Sequence, residues 1–289
     1  MKKLLMAVIA LMMTISASAQ FYIYFSDGTV SKVDSISLIA PSFSVAADKQ
    51  VNFSKGNLQY TQSTGTWSFS DNQWDCIGDA NVVDGALSDK IDLFGWSASN
   101  TTAPFGVSTS NASVDYSGSF VDWGTNQIGT DAPNTWRTLS TDEWKYLFQG
   151  RANAETLFAF GSVNGMNGII ILPDNWVTPS GLTFVASTAK GLYLENDDYS
   201  NSNGDNYTHN TYTIDQWRKM ESAGAVFLPA TGGRDRLTLG RVGSYGLYWS
   251  STENGTKYAR ILDFRPDYLS AWRYDYRVLG RAVRLVKDL

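Results

Sequence analysis

Gly246-Leu247-Tyr248-Trp249-Ser250-Ser251-Thr252 and Gly280-Arg281-Ala282-Val283-Arg284-Leu285-Val286 are the two stretches whose reading decides the fold. Tyr248-Trp249 and Val283-Leu285 carry aromatic and aliphatic bulk to one core, and the glycines that open each stretch mark tight turns or close backbone approach. Working backwards, Ile169-Ile170-Ile171-Leu172-Pro173 and Ala225-Val226-Phe227-Leu228-Pro229 are continuous apolar runs ended by proline, as expected of buried strands. Two segments read as helices. Ser140-Thr141-Asp142-Glu143 is a capping box followed by Trp144, Leu147 and Phe148 at helical spacing and a stop near Gly150. Thr213-Ile214-Asp215-Gln216 is a second box, with Ile214, Trp217 and Met220 on one face and a stop at Gly224. Gly161, Gly165 and Gly168 are read as turn residues around Asn164-Gly165. Two helices among many short strands and long loops predict an α+β domain.

The N-terminus carries a different signal. Lys2 and Lys3 precede the apolar stretch Leu4–Met13, and Ala17-Ser18-Ala19 offers a small-x-small cleavage site, so residues 1–19 are read as a secretory signal peptide. No cysteine follows it to carry a lipid anchor, and no later stretch is long enough to span a bilayer. The expected location is secreted or on the cell surface, with attachment through a partner left open. Residues 20–43 read as a β-hairpin turning at Asp27-Gly28, and residues 44–289 as the main domain.

Among the 289 residues the scarce types exclude more than the common ones. One cysteine, Cys76, excludes a disulfide framework and a multi-cysteine zinc site; one histidine, His209, excludes paired-histidine metal motifs. Cys76 sits among apolar neighbours and reads as a buried small residue. His209 lies in the polar loop 196–210, where Asp197, Asp198 and Asp205 offer oxygen ligands in a spacing that does not fit an EF-hand. No catalytic residue, metal site or cofactor is assigned. Residues 20–233 hold 10 basic and 22 acidic residues, whereas 234–289 hold 11 and 6, nine of the 11 being Arg. The Arg of that last segment alternate with Tyr, Trp and Asp rather than clustering with Lys, which speaks against nucleic acid and reads either as a recognition surface or as a solvated strand face with local Arg–Asp pairs.

Trp136-Arg137-Thr138-Leu139-Ser140, the two Pro-ended runs, Gly232-Gly233-Arg234 and the two opening stretches occur in an order that resembles the exported major-paralogous domain family of Fibrobacter and Bacteroides-type bacteria. That family resembles in turn the C-type-lectin-like fold shared with formylglycine-generating enzymes. The resemblance implies this fold for residues 44–289. The enzyme branch needs an active-site cysteine pair that the sequence lacks, and the calcium-binding EPN, QPD and WND motifs of sugar-binding lectins are missing. The resemblance extends to variable proteins of diversity-generating retroelements, in which changeable residues lie between G-x-YWSS-type and G-x-x-VR-type motifs. The expected genomic signature is a near-copy of codons 235–286, differing mainly at adenines, beside a reverse transcriptase gene.

The function expected is therefore non-enzymatic recognition or adhesion by an exported protein. The residues expected to meet an external protein or glycan ligand are Tyr245, Leu247, Arg260, Asp263, Arg265, Asp267, Tyr268, Trp272, Arg273, Tyr274 and Tyr276. Arg277 and Arg284 are assigned to the scaffold. The alternatives are a structural or fimbria-like surface protein and, third, a carbohydrate-active or other enzyme on the same fold.

Overall fold

Ser140 and Thr213 begin the two helices as their sequence spacing predicts. Ser140 Oγ accepts from the Glu143 backbone N–H while the Glu143 carboxylate accepts from the Ser140 N–H, and Thr213 and Gln216 repeat the arrangement. The computed structural model describes residues 21–24, 30–33, 41–98, 119–187, 207–265 and 268–289, the first two segments as backbone only. The signal-peptide residues 1–19, the Asp27-Gly28 turn, Asp197, Asp198, Asp205, Pro266 and Asp267 lie outside the described residues.

The chain divides into units of residues 1–40 and 41–289. In the first, β1 (Phe21–Tyr24) and β2 (Val30–Val33) form an antiparallel ribbon in which Phe21 faces Val33 and Tyr24 faces Val30. The second opens with β3 (Phe43–Ala46), β4 (Lys49–Phe53), β5 (Leu58–Thr61), β6 (Thr66–Phe69), β7 (Val82–Val83), β8 (Ala86–Leu87) and β9 (Lys90–Ile91). Then come β10 (Arg137–Thr138), α1 (Thr141–Lys145), β11 (Phe158–Val163), β12 (Met166–Ile171), β13 (Thr211–Tyr212), α2 (Ile214–Ser222) and β14 (Val226–Pro229). The chain closes with β15 (Gly233–Asp235), β16 (Thr238–Gly240), β17 (Gly246–Asn254), β18 (Tyr258–Arg265), β19 (Tyr268–Tyr276) and β20 (Leu285–Asp288). Among the described residues this is a sheet-rich α+β protein with two α-helices, and no helix is long and apolar enough to cross a membrane.

The last strand closes the unit on its beginning: β20 lies between β10 and β4 in the sheet order β10-β20-β4-β3, with Val286 opposite both Arg137 and Phe53. The two apolar runs pair with each other, Ile169 opposite Leu228 and Ile170 opposite Phe227, inside the sheet β13-β11-β12-β14. α2 covers that sheet with Trp217 and Met220, which pack against Ile170, Leu172 and Phe227. Burial of such side chains is worth ~1.5–3 kcal/mol each and supplies most of the helix's stability.

Two expectations are corrected. Only Asn164 and Gly165, both at positive φ, form the β11–β12 turn. Gly161 and Gly168 face each other inside the strands, because a Cβ there would lie 2.5 Å from the Asn210 carbonyl oxygen and 2.3 Å from that of Leu228. The first helix also changes form after Lys145. Residues Tyr146–Gly150 make a π turn in which the Arg151 N–H reaches back to the Tyr146 carbonyl at 2.9 Å. The buried Arg151 guanidinium holds that end by donating to the carbonyls of Leu147, Leu157 and Leu172 and pairing with Asp174 at 3.0 Å.

Candidate functional site

The opening motifs become one scaffold through backbone contacts. Gly232 bridges Gly246, Arg234 bridges Gly280, and Tyr248 bridges Ala282. Tyr248 donates to the Pro229 carbonyl at 2.7 Å, Trp249 Nε1 to that of Phe94 at 2.7 Å, and Trp96 Nε1 to that of Ser250 at 2.8 Å. Four of the nine arginines in 234–289 also belong to this scaffold: Arg234, Arg277, Arg281 and Arg284 are buried. Arg277 stacks on Trp96 with 4.2 Å to the ring centre and donates to the carbonyls of Tyr258 and Gly255. Four of the segment's 11 basic residues are therefore internal rather than on the surface.

On this scaffold stands the antiparallel sheet β17-β18-β19. Tyr258 faces Tyr276, Arg260 faces Tyr274, Ile261 faces Arg273, Asp263 faces both Leu247 and Ser270, and Arg265 faces Tyr268. Side chains alternate between sheet faces, so the expected site divides in two. Between the Ile261–Arg273 and Asp263–Ser270 pairs, Leu262 is opposed by two residues, Ala271 and Trp272. This bulge breaks the alternation: Ala271 packs in the core beside Leu262 while Trp272 lies beneath Arg260.

One face holds Tyr258, Arg260, Trp272, Tyr274 and Tyr276. The Arg260 guanidinium lies 4.0 Å from the Trp272 ring centre, and Nη1 donates to the Trp272 carbonyl at 2.5 Å. The Tyr258 ring meets Tyr274 edge-on at 5.1 Å and Tyr276 at 4.6 Å, and hydrogen bonding with Tyr276 raises the pKa of the Tyr258 phenol. Tyr274 and Tyr276 are 45% and 41% exposed, large apolar side chains left in solvent on a long strand. The last residue of α1 reaches the same face, with Lys145 Nζ 4.7 Å from the Trp272 ring centre. Trp272 thus already carries two cations of its own chain, and the exposed contact area belongs to the tyrosines.

The other face holds Asp263, Arg265, Tyr268, Arg273 and Asp275. Arg265 lies 4.4 Å from the Tyr268 ring centre and 5.0 Å from that of Tyr245, and donates to the Tyr245 hydroxyl at 3.3 Å. Arg241 covers Tyr245 as well, at 4.7 Å. Asp275 holds Arg281 through Nε at 2.9 Å and Nη2 at 2.5 Å.

Three expected contact residues are corrected, since they are not presented to solvent. Leu247 is 4% exposed and packs with Trp249, Ala259 and Ile261 because its strand parity points it into the core. Tyr268 and Asp263 are buried under the Arg265 and Arg273 side of the sheet. Asp267 lies outside the described residues. Lys145 and Tyr258 were not among the expected residues. The Tyr258-x-Arg260 spacing, two apart on one strand, is the signal that places Tyr258 beside Arg260; nothing local places Lys145 there. Cys76 is half-buried rather than buried, and its thiol is pushed up to about 12 by burial and by Asp92. His209 is exposed in a turn whose neighbour Asn210 is anchored to Phe160 and Val185.

Compared with known proteins, the chain matches no protein-family model, no curated protein and no solved structure.

Proposed function

We propose that this chain is an exported, non-enzymatic recognition protein in which a C-type-lectin-like scaffold presents Tyr258, Arg260, Tyr274 and Tyr276 to an extracellular protein or glycan. The observation that carries the reading is the solvent-facing half of β18 and β19. There three tyrosines and an arginine project from a rigid sheet whose opposite strand ends are locked by Trp249, Arg277 and Arg281. Tyrosine offers large contact area for little lost rotamer freedom, and arginine adds a planar fork of donors. Such residues dominate binding hot spots when they are placed on a fixed support. The pairing of the last strand with β4 and the two capped helices support the proposed fold. A cysteine thiol raised to about 12 is almost wholly protonated at neutral pH and therefore a poor nucleophile, which supports the non-enzymatic reading. Variation of the outer residues by a retroelement belongs to the same proposal, because they are attached to the scaffold only at its surface.

The test is a binding screen of the purified protein against a glycan array and intact bacterial cells, repeated with Tyr274→Ser/Tyr276→Ser. The expected result is binding by the parent and a loss of at least tenfold in the variant at unchanged melting temperature, since hot-spot truncations cost ~2 kcal/mol or more. Equal binding by the variant removes this face from the site.

A further inference from the structure

The two edges of the sheet β17-β18-β19 differ. Along β17 the outer backbone groups are taken up by the chain itself: the Trp249 N–H donates to the Ala282 carbonyl at 3.0 Å, the Ser251 N–H to that of Leu139 at 2.9 Å, and Gly246 bridges Gly232. Along β19 the outer side meets no further strand or bridge among the described residues. α1 crosses the tyrosine face, from Thr141 at Ser250 to Lys145 at Trp272, and leaves the edge beyond it open. The first half of β19, Tyr268–Ala271, is buried, whereas Trp272–Tyr276 reaches solvent.

The ladder shows what this edge presents. The Arg277 N–H donates to the Lys257 carbonyl at 3.0 Å, so Tyr276–Tyr258 is a pair without mutual hydrogen bonds, and by alternation so is Tyr274–Arg260. The N–H and C=O of Tyr274 and Tyr276 therefore point away from β18. Tyr276 meets its own chain, its N–H donating to Asp275 Oδ1 at 3.1 Å and its carbonyl accepting from the Leu279 N–H at 3.0 Å. Trp272 does the same through Ser270 Oγ and Arg260 Nη1. The backbone of Tyr274 has no such partner among the described residues. Open edges are commonly guarded by Lys or Pro, and Trp272–Tyr276 contains neither.

The sequence of the open stretch selects the strand that fits it. Trp272-Arg273-Tyr274-Asp275-Tyr276 is symmetric about Tyr274 in its aromatic residues and antisymmetric in charge. A two-fold axis through an antiparallel pair sets residues equally far from the centre opposite one another. Centred on Tyr274, it sets Trp272 against the partner's Tyr276 on the tyrosine face and Arg273 against the partner's Asp275 on the other. A centre on Arg273 would oppose Arg with Arg, and one on Asp275 would oppose Asp with Asp; like charges directly opposite are destabilising. Arg273 and Asp275 need not leave Asp263 and Arg281, their neighbours in their own chain, because the pattern acts by avoiding that repulsion. The same centre makes Tyr274 a hydrogen-bonded pair with its own copy, since its N–H and C=O both face outward. Backbone parity and side-chain pattern are independent observations, and both select Tyr274.

We propose that a second copy of this chain adds to β19, antiparallel and centred on Tyr274, to form a symmetric dimer with one continuous six-stranded sheet. The pairing goes beyond the recognition reading and does not rest on it, because it uses the strand edge. It places the tyrosine faces of both copies on the same side of the joined sheet, so that a ligand would meet two of them at once.

The test is sedimentation equilibrium of the full-length mature protein from about 5 to about 500 µM. It is run at pH 7.5, above the value of about 6 to which burial raises the Asp263 carboxyl on β18, so that this neighbouring charge is constant. The expected result is a rise with concentration toward twice the monomer mass. Tyr274→Pro removes the outward N–H at a position where an edge strand tolerates proline, and should stay monomeric throughout. Tyr274→Cys decides the register whether or not the proline variant keeps the parent's melting temperature. Its two thiols meet at the two-fold axis, where hydrogen-bonded pairs have Cα atoms ~5.5 Å apart, within disulfide range. With oxidised glutathione it should form a covalent dimer, while Lys257→Cys in the β17–β18 turn, and the parent with Cys76 alone, should not. A parent that stays monomeric at the highest concentration, a Tyr274→Pro variant that dimerises like the parent, or a Tyr274→Cys variant that cross-links no more than Lys257→Cys would each overturn the proposal.

Discussion

Arg284→Ala is expected to lower the free energy of unfolding by about 3–5 kcal/mol, enough to remove a large share of the stability of a domain of ordinary stability. Arg284 is buried within a polar knot that no single element could satisfy alone. Nη1 donates to Asn57 Oδ1 at 3.1 Å, and Nη2 to Gln73 Oε1 and the Phe227 carbonyl, both at 3.2 Å. Gln73 Oε1 also accepts from the Phe227 N–H, and Asn57 Nδ2 donates to the Tyr248 hydroxyl. Removing the guanidinium leaves acceptors buried without donors and opens a cavity, and both costs add. Burial lowers the Arg284 pKa only to about 10, so the group stays charged at neutral pH. Arg284→Lys should not rescue the fold, since a point charge on a flexible stem cannot reproduce three directed hydrogen bonds. Urea unfolding followed by tryptophan fluorescence measures the effect. A loss below about 1 kcal/mol would show that the motif arginine is not structural.

The second large effect has the opposite sign. Asp263→Asn should stabilise the protein by about 3 kcal/mol at pH 7.5 and change little at pH 3.5. The folded-state pKa of about 6 lies above the reference value of 3.8, so the folded protein binds the Asp263 proton more tightly than the unfolded chain does. Stability contributed by this group is complete below pH 4, falls as pH rises between 4 and 6, and is absent above that range. An amide never pays this cost, so the difference between parent and variant should follow the same window. Calorimetry at a series of pH values reads it as a rise in melting temperature of about 5–10 °C at pH 7.5. A constant difference across pH would place its cause elsewhere than in the Asp263 proton.

How much of this was legible in the sequence depended on distance along the chain. The two helix starts are local, because each capping box is four consecutive residues whose side chains and backbone satisfy one another. The apolar runs of β12 and β14 are legible for the same reason. The scaffold role of Arg277 and Arg284 came from motif order, and their burial agrees with it. The division of the candidate site did not come through. It rests on strand parity, and parity in β19 is reset by the bulge at Ala271-Trp272, which depends on what β18 places opposite. Leu247 illustrates the same limit: its place in the core is set by its pairing with Asp263, sixteen positions on in sequence. Lys145 joins Trp272 only because α1 is laid against β19, a contact that no local pattern announces.

The central claim is a division of labour between a fixed scaffold and a replaceable outer face, and a saturation scan of codons 245–286 scored for folded surface display tests it most directly. The account predicts that positions 258, 260, 274 and 276 accept most amino acids with little loss of display. Positions 248, 249, 277, 281 and 284 should accept almost none. If the outer positions prove as intolerant as the scaffold positions, those side chains are holding the fold together, and the recognition reading is contradicted.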